Sequence, residues 1–107
     1  MGLFTLLHST DINAGVAKYT KTNGAVLLDV RTVEEYRDGH IEGSINLPLD
    51  RITAIENTVK DKNTPLFVHC HSGIRSGQAV SYLKRKGYTK IENIGGIKSY
   101  GGKVVRS

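Results

Sequence analysis

Hydrophobic residues form short continuous runs near the middle of the chain, separated by longer stretches of mixed character. The runs at residues 25–30 and 66–68 do not alternate with polar positions and are bounded by turn residues. This pattern is typical of strands buried on both faces of a parallel sheet. Residues 44–47 indicate a short extended piece, and residues 91–94 indicate a last strand before Gly95 and Gly96.

Helical patterns lie between these strands. Residues 11–21 are predicted to be helical, with Ser9, Thr10 or Asp11 as the N-cap. Thr32 and Glu35 have the spacing of a capping box, which predicts a short helix that residue 39, a glycine, ends.

Two further helices are predicted in the second half of the chain. Pro48 and Asp50 introduce a helix that runs to about Glu56. An apolar stripe at i, i+3, i+4 and i+7 predicts another, which a glycine at position 87 ends. The stripe consists of Ser76, Ala79, Val80 and Leu83.

The alternation of strands and helices predicts an α/β fold with right-handed crossovers around a parallel sheet. The chain has 107 residues and no internal repeat or linker-like tract, so residues 1–107 are expected to form one domain. In such folds ligands bind beyond the carboxyl ends of the strands. The single cysteine, Cys70, follows one of the predicted strands and is therefore the first candidate for chemistry.

The composition of the chain, above all its charge and its single cysteine, favours some classes of function over others. The net charge of +5 favours small anionic substrates, while the scattered basic residues make nucleic acid a weak second choice. No stretch reaches the roughly 20 apolar residues needed to cross a bilayer. The first eight residues lack a basic region and a small-residue cleavage site, so the cytosol is the expected location. One cysteine with dispersed histidines lacks zinc-ligand spacing, and neither a metal nor a cofactor is expected.

Cys70 is predicted to lie just past a buried strand and just before the striped helix. Loop amides and the positive end of a helix would form an anion site there and stabilise a thiolate. His69, His71 and Arg75 are expected to add to this effect and to lower the pKa of the thiol. The alternative is an inert core thiol, because free cysteines are often buried.

Four residues that follow Cys70 in the loop have chemical properties that suit an anion site. Gly73 permits the turn that points the amides inward, and Ser72 and Ser76 are expected to cap the loop or the helix. The planar fork of Arg75 suits an oxyanion such as a thiosulfonate.

The loop from Cys70 to Ser76 follows the pattern Cys-x-x-Gly-x-Arg-Ser and resembles the active-site loop of rhodanese-like sulfurtransferases. Upstream, Asp29-Val-Arg31 and the Gly-His-Ile-Glu-Gly-Ser-Ile-Asn segment from residue 39 are similar to two further family signatures. Downstream, Gly-Gly-Ile-Lys-Ser-Tyr from residue 95 resembles the family's Gly-Gly-x-x-x-Trp ending, with Tyr100 in place of Trp. These matches cover about residues 26–100 in the family's order.

The resemblance implies a three-layer α/β domain, with a central, mostly parallel sheet flanked by helices on both faces. It implies that Cys70 becomes a persulfide by taking sulfur from thiosulfate, a persulfide or a polysulfide, and passes it to cyanide, a cellular thiol or a protein acceptor. By the same resemblance, Asp29 and Arg31 are buried supporting residues. The residues expected to bind the donor are His71, Ser72, Gly73, Ile74, Arg75 and Ser76.

Two alternatives stay open. A Cys-dependent phosphatase or arsenate reductase would also use His-Cys, a glycine loop and an arginine, but in those families five residues separate Cys from Arg, and here four separate Cys70 from Arg75. A non-catalytic rhodanese-like module for regulation or protein interaction is the second alternative, although such modules often lack the cysteine.

Overall fold

The computed structural model describes residues 11–107. The helices are α1 (Ile12–Thr20), α2 (Val33–Asp38), α3 (Ile55–Thr58) and α4 (Ile74–Arg85), with 3₁₀ segments at Leu49–Ala54 and Ile97–Ser99. The strands are β1 (Val26–Asp29), β2 (His40–Ile41), β3 (Ile45–Asn46), β4 (Leu66–Cys70), β5 (Ile91–Gly96) and β6 (Val104–Val105).

Four strands form a parallel sheet in the order β3-β1-β4-β5. Leu28 pairs with Val68, and Val68 pairs with Asn93, so the two longest runs of apolar sequence lie side by side. The remaining strands, β2 and β6, form a separate antiparallel pair. The central position of β1 and β4 explains why both read as continuous apolar runs.

Side chains from the sheet pack into two cores, one on each face. Leu28, Val68 and Leu83 belong to the core beneath α4 and the 3₁₀ segment Leu49–Ala54. Leu27 and Phe67 belong to the other core, where α1 packs. The α/β fold with helices on both faces of a central parallel sheet is therefore confirmed.

The helix boundaries follow the local signals. The Asp11 carboxylate accepts hydrogen bonds from the amides of Asn13 and Ala14, which makes Asp11 the N-cap of α1. The alternative caps at residues 9 and 10 lie outside the described residues. The capping box of α2 is present in both directions between Thr32 and Glu35.

The helix predicted after Pro48 is broken into two pieces. A 3₁₀ segment precedes α3, and α3 ends at Thr58 rather than at about Glu56. The 3₁₀ segment itself is kinked at Arg51, whose φ of −120° and ψ of 16° lie outside the helical region. Among residues 11–107 no helix is long and apolar enough to cross a membrane.

Two strands run further than predicted. β4 continues through Cys70, and β5 continues through Gly96, so Cys70 is the last residue of a strand and does not follow it. The strands extend because the pairing of Cys70 with Gly96 resumes after a register shift between Val68 and His69.

Candidate active site

Cys70 lies at the carboxyl end of a central strand, where a parallel sheet exposes its ligand-binding edge. The residue is only 1% exposed. Burial alone would fit the inert-thiol alternative, so the polar groups around the sulfur decide its chemical character.

The loop after β4 surrounds this sulfur with hydrogen-bond donors. The amide of Gly73 donates to Cys70 Sγ at 3.0 Å, and the hydroxyl of Ser76 lies 3.5 Å from it. Burial raises the pKa of Cys70, but the Ser76 hydroxyl and the amides of Ser76, Gly73 and Ser72 together hold this pKa below its ordinary value. The loop therefore favours a thiolate in a site that water reaches poorly.

Gly73 makes the turn that directs its amide at the sulfur. Its φ of +101° lies in the left-handed region, which an L side chain rarely adopts. Gly73 is also the N-cap of α4, and among residues 11–107 no side chain caps this helix. The predicted capping roles of Ser72 and Ser76 at this helix are therefore wrong: Ser72 is exposed, and Ser76 lies inside the helix with its hydroxyl turned to Cys70 and Asn93.

Asn93, on β5, is the functional residue beside the loop that the sequence analysis missed. Its amide nitrogen donates to the carbonyl oxygen of Gly73 at 3.1 Å, and its oxygen accepts from the Gly95 amide at 3.0 Å and lies 2.7 Å from the oxygen of the Ser76 hydroxyl, whose one proton it shares with Cys70 Sγ. One side chain thus holds both ends of the turn that faces Cys70. A polar residue beside two glycines at the carboxyl end of a strand was the available signal.

Arg75 does not present a free fork to the loop interior. Its Nη1 and Nη2 donate to the two carboxylate oxygens of Glu35, at 2.7 and 3.0 Å. The hydrogen bonds from Arg75 lower the pKa of Glu35 to about 2, and the same bonds raise the pKa of Arg75. Coulombic attraction to Cys70 also contributes to the raised pKa of Arg75, so the expectation that Arg75 lowers the thiol pKa stays a prediction, with a fork that Glu35 already occupies.

The two histidines beside Cys70 have different surroundings. His69 is fully buried, and burial holds its pKa below the ordinary value, so its ring is neutral at pH 7. Its Nε2 lies 3.8 Å from Asp29 Oδ2 without a hydrogen bond. His71 is exposed on the loop. His69 therefore cannot supply the positive charge expected of it.

Asp29 and Arg31 form a buried ion pair at the end of β1. Arg31 Nε donates to both carboxylate oxygens of Asp29, and its Nη2 donates to Asp29 Oδ2 at 2.8 Å and to the carbonyl oxygen of Gly39 at 2.7 Å. The pair joins the sheet edge to the chain after α2. Ile74, the remaining predicted loop residue, is 73% exposed at the start of α4.

The fold and this site define an α/β protein with a strand-end thiol inside an amide-lined loop, backed by a helix N-terminus. A family model described as "Rhodanese-like domain" matches residues 14–103. The chain belongs to the rhodanese-like domain family.

Individual relatives agree with this assignment. The chain is 44% identical to "Thiosulfate sulfurtransferase PspE" of Escherichia coli (strain K12) over 72 residues, which are 66% of this chain and 69% of that protein. It is 36% identical to "Putative sulfur carrier protein YrkF" of Bacillus subtilis (strain 168) over 79 residues, 73% of this chain and 42% of that protein. A solved structure described as "rhodanese with anions from E. coli" has a TM-score of 0.72 and 39% identity, covering 78% of this chain and 99% of that one.

Proposed function

We propose that this protein is a sulfurtransferase that moves a sulfane sulfur from thiosulfate, or from a persulfide or polysulfide, through a persulfide on Cys70. The observation that carries the proposal is the set of hydrogen-bond donors around Cys70 Sγ, which lowers the thiol pKa although the residue is only 1% exposed. A thiolate is the nucleophile that such a transfer needs.

In the first half-reaction the Cys70 thiolate attacks the outer sulfur of the donor. The bond from Sγ to this sulfur forms while the sulfur–sulfur bond of thiosulfate breaks, and the electron pair of that bond leaves with sulfite. The reaction conserves charge, because a thiolate and thiosulfate give an anionic persulfide and sulfite. The Gly73 amide at 3.0 Å lies where negative charge on sulfur is stabilised.

In the second half-reaction a thiophilic acceptor attacks the outer sulfur of the persulfide. Cyanide forms a bond to it and leaves as thiocyanate, and the electron pair of the broken sulfur–sulfur bond returns to Cys70 as thiolate. A cellular thiolate would accept the sulfur in the same way and become a persulfide. The loop amides that stabilise the first thiolate also stabilise the one regenerated.

The paired state of Arg75 weighs against the phosphatase alternative. A phosphatase loop needs an arginine whose fork faces the bound oxyanion, whereas Glu35 occupies both Nη groups of Arg75. The donors around Cys70 weigh against the non-catalytic module, because a purely structural thiol has no need of them.

A protein acceptor fits the surface beside the loop. Ile74 is 73% exposed next to the turn at Gly73, and one relative is named as a putative sulfur carrier protein. We propose a small anionic sulfur donor, a thiol or cyanide acceptor, and a protein acceptor as partners, with the cytoplasm as location and one domain as organisation.

The test is intact-protein mass spectrometry after incubation with thiosulfate or a polysulfide, with Cys70→Ser as control. We expect a gain of about 32 Da, one sulfur atom, that requires Cys70 and disappears as thiocyanate forms on addition of cyanide. No adduct with either donor would leave the non-catalytic module as the better explanation.

A further inference from the structure

Glu35 is held rigidly beside the candidate active site. Its Oε1 accepts hydrogen bonds from the amide of Thr32 at 2.9 Å, from the Thr32 hydroxyl at 3.1 Å and from Arg75 Nη1 at 2.7 Å. Its Oε2 accepts from Arg75 Nη2 at 3.0 Å. The capping box of α2 therefore holds the Glu35 carboxylate in place independently of its hydrogen bonds to Arg75.

This pairing removes the net charge of the one arginine in the loop. The pKa of Glu35 is about 2, so the carboxylate is ionised at neutral pH. The arginine and carboxylate side chains are 33% and 34% exposed, which places the neutral pair at the rim of the site. The loop amides consequently face the sulfur of Cys70. Arg75, however, has no uncompensated positive charge with which to bind the anionic group that leaves the donor.

Sulfur donors differ in the charge that must be accommodated there. Thiosulfate is a dianion and releases sulfite, which keeps two negative charges at neutral to basic pH. An organic persulfide carries one negative charge and releases a thiolate, which water protonates. When a thiolate attacks either donor, repulsion and leaving-group charge are larger for thiosulfate, and a free arginine would compensate them best.

We propose that Glu35 is a specificity-determining residue that selects organic persulfides over thiosulfate by neutralising Arg75. The proposal rests on the sulfurtransferase function proposed above. In the favoured step the Cys70 thiolate bonds to the outer sulfur of RS–S⁻, the RS–S bond breaks, and its electron pair leaves with RS⁻. Cys70 then carries the persulfide, and no oxidant or reductant is consumed.

The experiment compares Glu35→Gln with the wild type, using thiosulfate and 2-hydroxyethyl persulfide as donors. Persulfide formation on Cys70 is followed by rapid quench and mass spectrometry to give kcat/KM for each donor. Glu34→Gln is the matched control, because it removes the same charge from the preceding residue of α2. The side chain of Glu34 is exposed, and Arg75 pairs with Glu35 instead. Glu35→Asp keeps the charge while it disturbs the capping box.

For Glu35→Gln we expect kcat/KM with thiosulfate to rise roughly fivefold, mainly through KM, because the unpaired positive charge of Arg75 at a partly exposed site attracts a dianion. The value for the organic persulfide should change less than twofold, and the gain should shrink in high salt. Glu34→Gln and Glu35→Asp should keep the wild-type ratio between donors.

Three results would overturn the proposal. Equal changes with both donors would make the pair merely structural, and equal gains in Glu34→Gln and Glu35→Gln would assign the effect to overall charge. Wild-type protein that takes sulfur from neither donor would overturn the proposed function itself. Because the first two results leave Cys70 loading intact, the two kinds of failure are distinguishable.

Discussion

A methyl group on Gly96 would lie 2.5 Å from the Cα of Ser72 and would overlap the carbonyl oxygen of His71. The φ of Gly96 is −126°, which any residue adopts, so this glycine is needed for space and not for conformation. The end of β5 thus packs directly against the loop that follows Cys70. The shape of the loop depends on a strand more than twenty residues further along the chain.

Gly96→Ala should displace this loop from Cys70. Because the added methyl group meets backbone atoms that cannot rotate away, we expect a loss of about 1–3 kcal/mol in the free energy of unfolding. Misplaced amides should lower the rate of persulfide formation at least tenfold, a loss of about 1.4 kcal/mol or more in transition-state stabilisation. Urea denaturation and the mass assay with thiosulfate measure the two effects.

Gly101→Ala is the control for this substitution. A Cβ there would lie 3.7 Å from the side-chain oxygen of Asn13, an ordinary contact. Activity should stay within twofold of wild type, which is about 0.4 kcal/mol. A Gly96→Ala protein with wild-type sulfur uptake would show that persulfide formation does not depend on the packing of the loop against Gly96.

Ser76→Ala should raise the pKa of Cys70. The substitution removes the hydroxyl that contributes most to lowering this pKa, while the amide of Gly73 stays in place. The rate of alkylation of Cys70 by iodoacetamide should therefore reach its midpoint at a higher pH than in the wild type. Ser81→Ala is the control, because Ser81 lies on the same helix and its exposed hydroxyl donates to the carbonyl oxygen of Gly77, away from Cys70. Superimposable pH profiles for Ser76→Ala and wild type would show that the Ser76 hydroxyl does not lower the pKa of Cys70.

Local features of this molecule could be predicted from the sequence. The capping box of Thr32 and Glu35, the turn at Gly73 and the stripe of α4 each depend on residues within a few positions, so spacing alone reveals them. The parallel pairing of the main sheet followed from the alternation of apolar runs and helical patterns, although the order of its strands did not. These features are enough to predict that Cys70 lies at the carboxyl edge of the sheet.

Contacts between distant residues could not be predicted in the same way. Glu35 and Arg75 are forty residues apart, and the spacing of each residue within its own motif gives no sign of the other. The hydrogen bonds that Asn93 makes to the turn after Cys70 depend on the register of β4 against β5, which shifts between Val68 and His69. Because a slip of one residue reverses the face of every side chain, such a shift decides which groups reach the loop.

Arg31→Met should destabilise the protein strongly. The substitution leaves the Asp29 carboxylate fully buried without its cation, and the carbonyl oxygen of Gly39 without this donor. Removing one member of a buried pair costs about 3–5 kcal/mol, which urea denaturation at neutral pH would measure. Lys18→Met, which breaks the exposed pair with Glu92, should cost at most about 1 kcal/mol. Equal losses in the two variants would mean that burial of Asp29 carries no special penalty.

The pair between Glu35 and Arg75 should make stability depend on pH in a defined window. The pKa of Glu35 is about 2 in the folded protein and 4.5 when unperturbed, so the unfolded chain binds more protons between these values. The contribution is fully present above pH 4.5 and is lost as pH falls towards 2, and we expect about 1 kcal/mol after solvent screening of this partly exposed pair. Other carboxylates also titrate in this range, so the measurement is the difference in unfolding free energy between wild type and Glu35→Gln as a function of pH. This difference should shrink on acidification; a constant difference for Glu35→Gln would mean that the pair with Arg75 adds nothing to stability.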